Sequence, residues 1–188
     1  METRTIFFLG KPGSGKGTQA KLLATKTGWP MFSSGALYRQ IALEDTPAGR
    51  KTAEVIDNGY LMPPWFSMYL FQKSLFSLPA EASAIFDGFN RKIYEAELVI
   101  DSMKWLGREF AVINIEISDA EVQKRLALRK DIEGRADDNT VDTRLQEYTV
   151  HTIPALMLFQ QSGTLITING EQSREAIAED IAQALTLS

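Results

Sequence analysis

One stretch, Gly10-Lys11-Pro12-Gly13-Ser14-Gly15-Lys16-Gly17-Thr18, limits what this chain can fold into more than any other. It follows Thr5-Ile6-Phe7-Phe8-Leu9, an apolar, β-branched and aromatic run of strand length that ends at glycine. It precedes Lys16 to Lys26, which reads as a helix with Ala20, Leu22 and Leu23 on its inner side. Strand, glycine-rich loop and helix in that order, with the spacing G-x-x-x-x-G-K, form the setting of a phosphate loop. The glycines let successive backbone N–H groups turn inward as a nest for anionic oxygens. The helix start adds unpaired N–H groups and the positive end of its dipole. Lys16 supplies a mobile charge for the outer phosphates. Gly17 stands where Ser or Thr usually binds magnesium, and Thr18 is placed to take part of that role. A tight glycine turn with a surface lysine is the plainer alternative; the agreement of strand, loop, lysine and helix argues against it.

Downstream, Gly28-Trp29-Pro30 reads as a turn and Met31-Phe32-Ser33 as a short strand. Ser34-Gly35 is expected to cap a helix from Ala36 to Glu44, which Asp45-Thr46-Pro47 breaks. A further helix runs to about Asn58, where Gly59 stops it, and Pro63-Pro64 starts another through Phe76. This run of helices is longer than a simple crossover needs and reads as a helical insertion hung on the sheet. Ser83-Ala84-Ile85-Phe86-Asp87 is the next strand, followed by a helix from about Ile93 to Leu106. Phe110 to Ile117 is the clearest strand, and Ser118-Asp119-Ala120-Glu121 has the spacing of a capping box. On the helix it opens, Arg125 and Arg129 lie on one face. Lys130 to Asn139 reads as a polar loop. Val141 to Gln161 reads as helix, with Pro154 expected to kink or split it. Thr164 to Ile168 is a last strand and Ser173 to Leu187 a last helix, with Ile177, Ile181, Ala184 and Leu185 on one stripe.

Strands separated by helices imply an α/β fold with a five-stranded parallel sheet covered on both faces. Ligands of such sheets sit beyond the carboxyl ends of the strands. Gly10, Ser33, Asp87 and Ser118 lie at those ends, so one cleft is expected to collect them. The 188 residues suit one domain. A net charge of −4 lacks the basic surface that nucleic-acid binding needs. The absence of cysteine excludes disulfides and thiolate metal sites and agrees with a cytosolic location. The start, Met1-Glu2-Thr3-Arg4, runs straight into a strand, so no signal peptide is expected, and no segment has the length of a membrane span.

Despite the net negative charge, Lys16, Arg39, Arg91, Arg125, Arg129, Arg135 and Arg144 fall in or beside loops and helix ends. Phosphoryl transfer needs two anions held in line and the charge between them neutralised, and the planar fork of arginine binds two phosphate oxygens at once. An acidic residue ending an apolar strand, here Asp87, suits magnesium or its water shell, as do Asp137 and Asp138. Any one of these arginines alone would read as a solvated helix face, and Asp137-Asp138-Asn139 alone as a polar turn. Lone His151 has no partner motif and reads as structural.

With these residues in place, the chain resembles the adenylate kinase family of nucleoside monophosphate kinases along nearly its whole length. Gly10 to Gln19 is similar to the family's phosphate loop, including the glycine after the lysine. Ser33-Ser34-Gly35 with Leu37 and Arg39 resembles its monophosphate motif, and Asp57, Gly59, Leu61 and Pro63 the end of its monophosphate-binding insertion. Asp87-Gly88-Phe89-Asn90-Arg91 resembles D-G-F-P-R. Arg125, Arg129 and Gly134-Arg135-Ala136-Asp137-Asp138-Asn139 resemble its lid, and Tyr148, Thr152 and Pro154 the helix after it. The resemblance implies a three-layer P-loop kinase fold over 1–188, with an insertion at 33–62 and a short lid at 130–138. It implies magnesium-dependent transfer of the ATP γ-phosphoryl group to AMP by a cytoplasmic monomer. Gly13, Ser14, Gly15, Lys16, Gly17 and Thr18 would cradle ATP. Arg125 would stack on its base, the backbone near Gln172 would meet that base, and Arg129 would clamp the outer phosphates. Ser34, Arg39, Gly88, Arg91 and Glu95, with Leu61 and Met62, would hold the monophosphate. Arg135 and Arg144 would bridge the two phosphate chains, and Asp87 with Asp138 would order magnesium through water.

Four positions depart from that pattern. Ala36 replaces an aspartate of the magnesium water network, and Asn90 replaces the proline of D-G-F-P-R. The segment from Asn139 to Arg144 is shortened by two residues, and Glu95 replaces the glutamine that reads adenine. Glu95 also has a bland alternative, since it lies four residues from Arg91 on one helix and would pair with it. Alternatives at this stage are the same chemistry on GMP, CMP, UMP or a deoxy form, a P-loop kinase of a non-nucleotide molecule, or a nucleotide-binding module with little catalysis.

Overall fold

A computed structural model describes residues 4–133 and 140–187, with side chains left out of the description at 129–133. Five strands form one parallel sheet: β1 (Arg4–Gly10), β2 (Met31–Ser33), β3 (Ala84–Asp87), β4 (Glu109–Glu116) and β5 (Leu165–Asn169). Their order is β2-β3-β1-β4-β5, which sets β1 at the centre. Between them run α1 (Lys16–Thr27), α2 (Ser34–Ala42), α3 (Pro47–Asp57), α4 (Pro64–Phe76), α5 (Ile93–Trp105), α6 (Asp119–Glu133), α7 (Val141–Glu147), α8 (Ile153–Gln161) and α9 (Arg174–Ala184).

β1 is buried on both sides because both faces of the sheet are covered. Phe7 and Leu9 face a core built with Phe71 and Leu75 of α4, Val99 and Met103 of α5, and Phe159 of α8. Ile6 and Phe8 face Leu23 of α1 and Ile177, Ile181 and Leu185 of the α9 segment. This makes three layers, and it accounts for the continuous apolar run in β1. Rings lock the first core: Phe7 stacks on Phe86 at 5.3 Å, and Phe71 meets Phe86 edge-on at 5.1 Å. A smaller cluster of Ile117, Val122 and Leu126 packs with Val141 and Leu145, joining α6 to α7. No helix among the described residues is long and apolar enough to cross a membrane.

Several local expectations are corrected. Leu22 on α1 faces outward at 37% exposure, so only Ala20 and Leu23 of the expected trio are buried. Ala184 is exposed, and Ala182 takes its place on the inner stripe of α9. Residues 130–133 continue α6 as helix, where composition suggested a loop; Lys130 and Glu133 are good helix formers, and extending a helix already running costs less than starting one. Ser34 does not cap α2. It is the first helical residue, and its hydroxyl crosses to β3's far end. The expected break at Pro154 lies just upstream, in a π-helical segment at Tyr148–Thr152 between α7 and α8. There the N–H of Ile153 reaches the carbonyl of Tyr148, and Pro154, which has no N–H to donate, begins the next helix.

Candidate functional site

Register decides what meets at the carboxyl edge of the sheet. Ser33 of β2 aligns with Asp87 of β3, which aligns with Phe8 of β1, while β1 runs on to Gly10 beside Ile115. The Ser33 hydroxyl donates to Asp87 Oδ2 at 3.1 Å. Asp87 Oδ1 is buried without a partner among the described residues. The chain then turns at Gly88, whose φ of 77° belongs to glycine, and any side chain there would collide with the Arg91 guanidinium and the Ser34 hydroxyl. The Gly88 carbonyl accepts from Ser34 Oγ at 2.8 Å and from Arg91 Nε at 2.7 Å. Phe89 turns back into the core, which anchors the segment. Asn90 follows with φ 65° and a fully buried amide that has no partner among the described residues. Proline cannot adopt that φ, so the departure from D-G-F-P-R is one of backbone path as well as side chain.

Gly10 makes the opposite turn possible, since a Cβ there would sit 2.6 Å from the Ile115 carbonyl. The loop it opens curls so that the Ser14 N–H donates to the Lys11 carbonyl at 3.1 Å, and Lys16 Nζ lies 3.5 Å from that same carbonyl. Lys11 itself pairs with Asp119 at 2.6 Å.

These edges enclose a cavity of about 540 Å3. On the loop side it is lined by Gly13, Gly15, Lys16, Gly17 and Thr18. Opposite lie Arg39, Leu61, Met62, Gly88, Arg91 and Glu95, with Asp87 between the two sides. Arg125 and Arg144 also reach it, so the shortened segment before Arg144 still brings that residue to the cavity. Ala36 lines the same cavity, where a carboxylate would have added an acceptor. Ser14 and Ser34 are buried behind the lining rather than in it. Gln172 is exposed outside the lining and donates to the Asn169 carbonyl and to Asp180. Ser118 is not collected by this cleft. Its N–H is taken by Glu171 at 2.7 Å, which replaces the returning half of the expected capping box, while Glu121 turns to Arg125. The Arg129 side chain, Arg135 and Asp138 lie outside the described residues, as does most of the expected lid.

The cationic wall is positioned by carbonyls. Arg125 donates through Nη2 to the Gly170 carbonyl at 2.8 Å and through Nη1 to that of Ser14 at 3.4 Å. It thereby joins the phosphate-type loop to the turn after β5. Its bond to Glu121 holds that carboxyl below the usual range. Among the described residues no three acidic or histidine side chains gather as a metal cluster. Asp87, with one buried oxygen left over, fits a cation held through its water shell and by ligand phosphates rather than by a protein cage.

Sequence reasoning missed two participants, Tyr38 and Glu147, and named Tyr148 only as part of the helix after the lid. The Tyr38 hydroxyl shares a 2.6 Å bond with Ser67, and burial pushes its pKa up to about 12, so it stays neutral at the cavity wall. Glu147 accepts the Leu61 N–H at 3.0 Å, and Tyr148 lines the same wall. The position of Tyr38 one residue before Arg39 was the available signal for it; nothing local pointed to Glu147. The alternative of a side-chain pair between Arg91 and Glu95 on one helix is corrected: Arg91 precedes α5, and Glu95 instead accepts the backbone N–H groups of Arg91 at 2.8 Å and Lys92 at 3.3 Å. Two N–H groups at a helix start lack partners along the chain, and Glu95 is the nearest acceptor.

A family model described as adenylate kinase matches residues 8–164. The chain is 37% identical over 179 residues to adenylate kinase 1 of Synechocystis, covering 94% of each. It is 38% identical over 175 residues to an adenylate kinase of Corynebacterium diphtheriae, covering 92% of this chain and 93% of the other. It is 33% identical over 185 residues to that of Thermus thermophilus, covering 97% of each.

Proposed function

The chain belongs to the adenylate kinase family, and from that premise we propose that it is an ATP:AMP phosphotransferase, moving the ATP γ-phosphoryl group reversibly to AMP. The observation that carries this reading is one cavity lined by the glycine loop and Lys16 on one side and by Arg39, Arg91 and Gly88 on the other. Two anions can face each other there with cations between them, which is what phosphoryl transfer requires.

In this reading Gly13 to Thr18 bind the ATP phosphates through backbone N–H groups, and Lys16 follows the transferring group. Arg125, fixed by two carbonyls, contacts the ATP base. Arg39 and Arg91 grip the monophosphate, and Arg144 spans both phosphate chains. Magnesium, when bound, would screen charge on the phosphates, with its water shell held by Asp87 and by Asp138. Arg129 and Arg135 complete the clamp. The insertion at 33–62 and a lid at 130–138 close over the substrates and exclude water, which would otherwise accept the phosphoryl group. The same reading has a cytoplasmic monomer.

The test is purified protein with ATP and magnesium, assayed against AMP. We expect formation of ADP, and at least a hundredfold lower turnover in a folded Lys16→Met variant, since a positioned charge at the transferring group contributes about 3 kcal/mol or more. ATP binding without transfer to any nucleoside monophosphate would overturn the reading in favour of a nucleotide-binding module.

A further inference from the structure

Glu95 sits in the first turn of α5, 3% exposed and lining the cavity. Its Oε2 accepts the Arg91 and Lys92 N–H groups, which the turn after Gly88 holds in place. Nearby cations are directed elsewhere: Lys92 Nζ donates to the Met62 carbonyl at 3.2 Å and Arg91 Nε to that of Gly88. The carboxyl is therefore oriented, and among the described residues Oε1 accepts no hydrogen bond and is left for whatever enters the cavity. A phosphate would be repelled by it and belongs with Arg39 and Arg91. The neutral end of the ligand must face Glu95, beside Leu61, Met62 and the neutral Tyr38 hydroxyl.

We propose that Glu95 reads the base through a single oxygen, Oε1, so that the pocket accepts 6-oxopurine monophosphates alongside AMP. This rests on the nucleotide-kinase reading of the site. An ionised carboxylate oxygen only accepts. Adenine can offer it one N6–H. Guanine and hypoxanthine offer the ring N1–H, and guanine adds N2–H. An acceptor-only atom meets a donor on each of these bases and has no means of rejecting the 6-oxopurines.

The backbone bonds also fix what a glutamine would do there. An amide has one oxygen, and the Arg91 and Lys92 N–H groups would claim it. Its NH2 would then occupy the place of Oε1, turning the atom that faces the base from acceptor into donor. A donor matches the lone pair on adenine N1 and opposes the N1–H of guanine and hypoxanthine.

The experiment is calorimetric titration of AMP, GMP and IMP into the protein without ATP, for the natural chain and Glu95→Gln. We expect GMP or IMP to bind the natural protein within about tenfold of AMP, and Glu95→Gln to shift the ratio toward AMP by about tenfold or more. A natural protein that prefers AMP over both by a hundredfold, or a ratio unmoved in Glu95→Gln, overturns the proposal. If that variant does not fold, N1-methyl-GMP decides: it should bind the natural protein at least tenfold more weakly than GMP, and equal binding overturns the proposal. Binding discrimination as expected, with no phosphoryl transfer in the assay above, would sink the proposed reaction and leave the base reading standing.

Discussion

Burial makes the charge on Glu95 costly, and its two backbone N–H partners offset that cost only in part. Its pKa is accordingly raised above the ordinary 4.5, with desolvation the leading cause. A carboxyl with a raised folded pKa favours the fold fully below its unfolded value, and that contribution is lost as pH rises through the folded value. Ionised Glu95 therefore weighs on stability at neutral pH. Glutamine keeps an oxygen for the Arg91 N–H and carries no charge. Thermal melts should show Glu95→Gln more stable than the natural protein at pH 7.5, with the advantage shrinking toward pH 4. A difference that is flat with pH would mean that charge burial is not its source. The neighbouring Tyr38 and Tyr148, both raised to about 12 by burial, stay neutral across this range and do not blur the measurement.

Among the elements, α7 has the most unexpected task. Its Glu147 accepts the Leu61 N–H in the connection between α3 and α4, and its Arg144 and the preceding Thr140 press against Gly59. A Cβ at Gly59 would come within 2.5 Å of the Thr140 hydroxyl. The connection that carries Leu61 and Met62 is thus held against the opposite wall of the cavity. Removing the acceptor in Glu147→Ala leaves the Leu61 N–H without it, and bonds to charged groups are worth about 1.5–3 kcal/mol. Steady-state kinetics should show the KM for the monophosphate rising about tenfold or more with kcat little changed, and Glu147→Gln, which retains an acceptor, restoring most of it. Equal behaviour of the two variants would show that the hydrogen bond does not hold the pocket edge.

Across the described residues, burial is uneven. The sheet and its two cores carry the large apolar side chains. The α2–α3 pair instead buries only Ser34, Gly49 and Thr52 within its helices. Its apolar residues Leu37, Tyr38 and Ile41 touch the core only as partly buried side chains, and a segment anchored so lightly opens at lower free-energy cost than the sheet. Hydrogen exchange should therefore be fast over 34–62 in the free protein and slow markedly with a saturating bisubstrate analogue, while β1 and β4 remain protected in both. No change over 34–62 at saturation would contradict closure of the insertion.

The strands and the phosphate-type loop were legible in the chain because each rests on short-range signals: apolar runs of strand length, glycine spacing, and a lysine at a helix start; the parallel pairing followed from strands alternating with helices along the chain. Asp87 was legible as an acidic residue closing an apolar strand, while the segment Asp87 to Arg91 was recognised only through its resemblance to a family motif. Tertiary structure decided which polar atom serves which partner. Ser34 looked like a cap and instead supports the Gly88 carbonyl; Ser118 looked like part of the cleft and is claimed by Glu171. Arg125 could be read as a solvated or a ligand-binding arginine until Ser14 and Gly170 fixed its guanidinium, and no local pattern tied Glu147 to Leu61. Hydrogen bonds depend on distances of about 3 Å between groups far apart in sequence, and only packing of the elements brings those groups together.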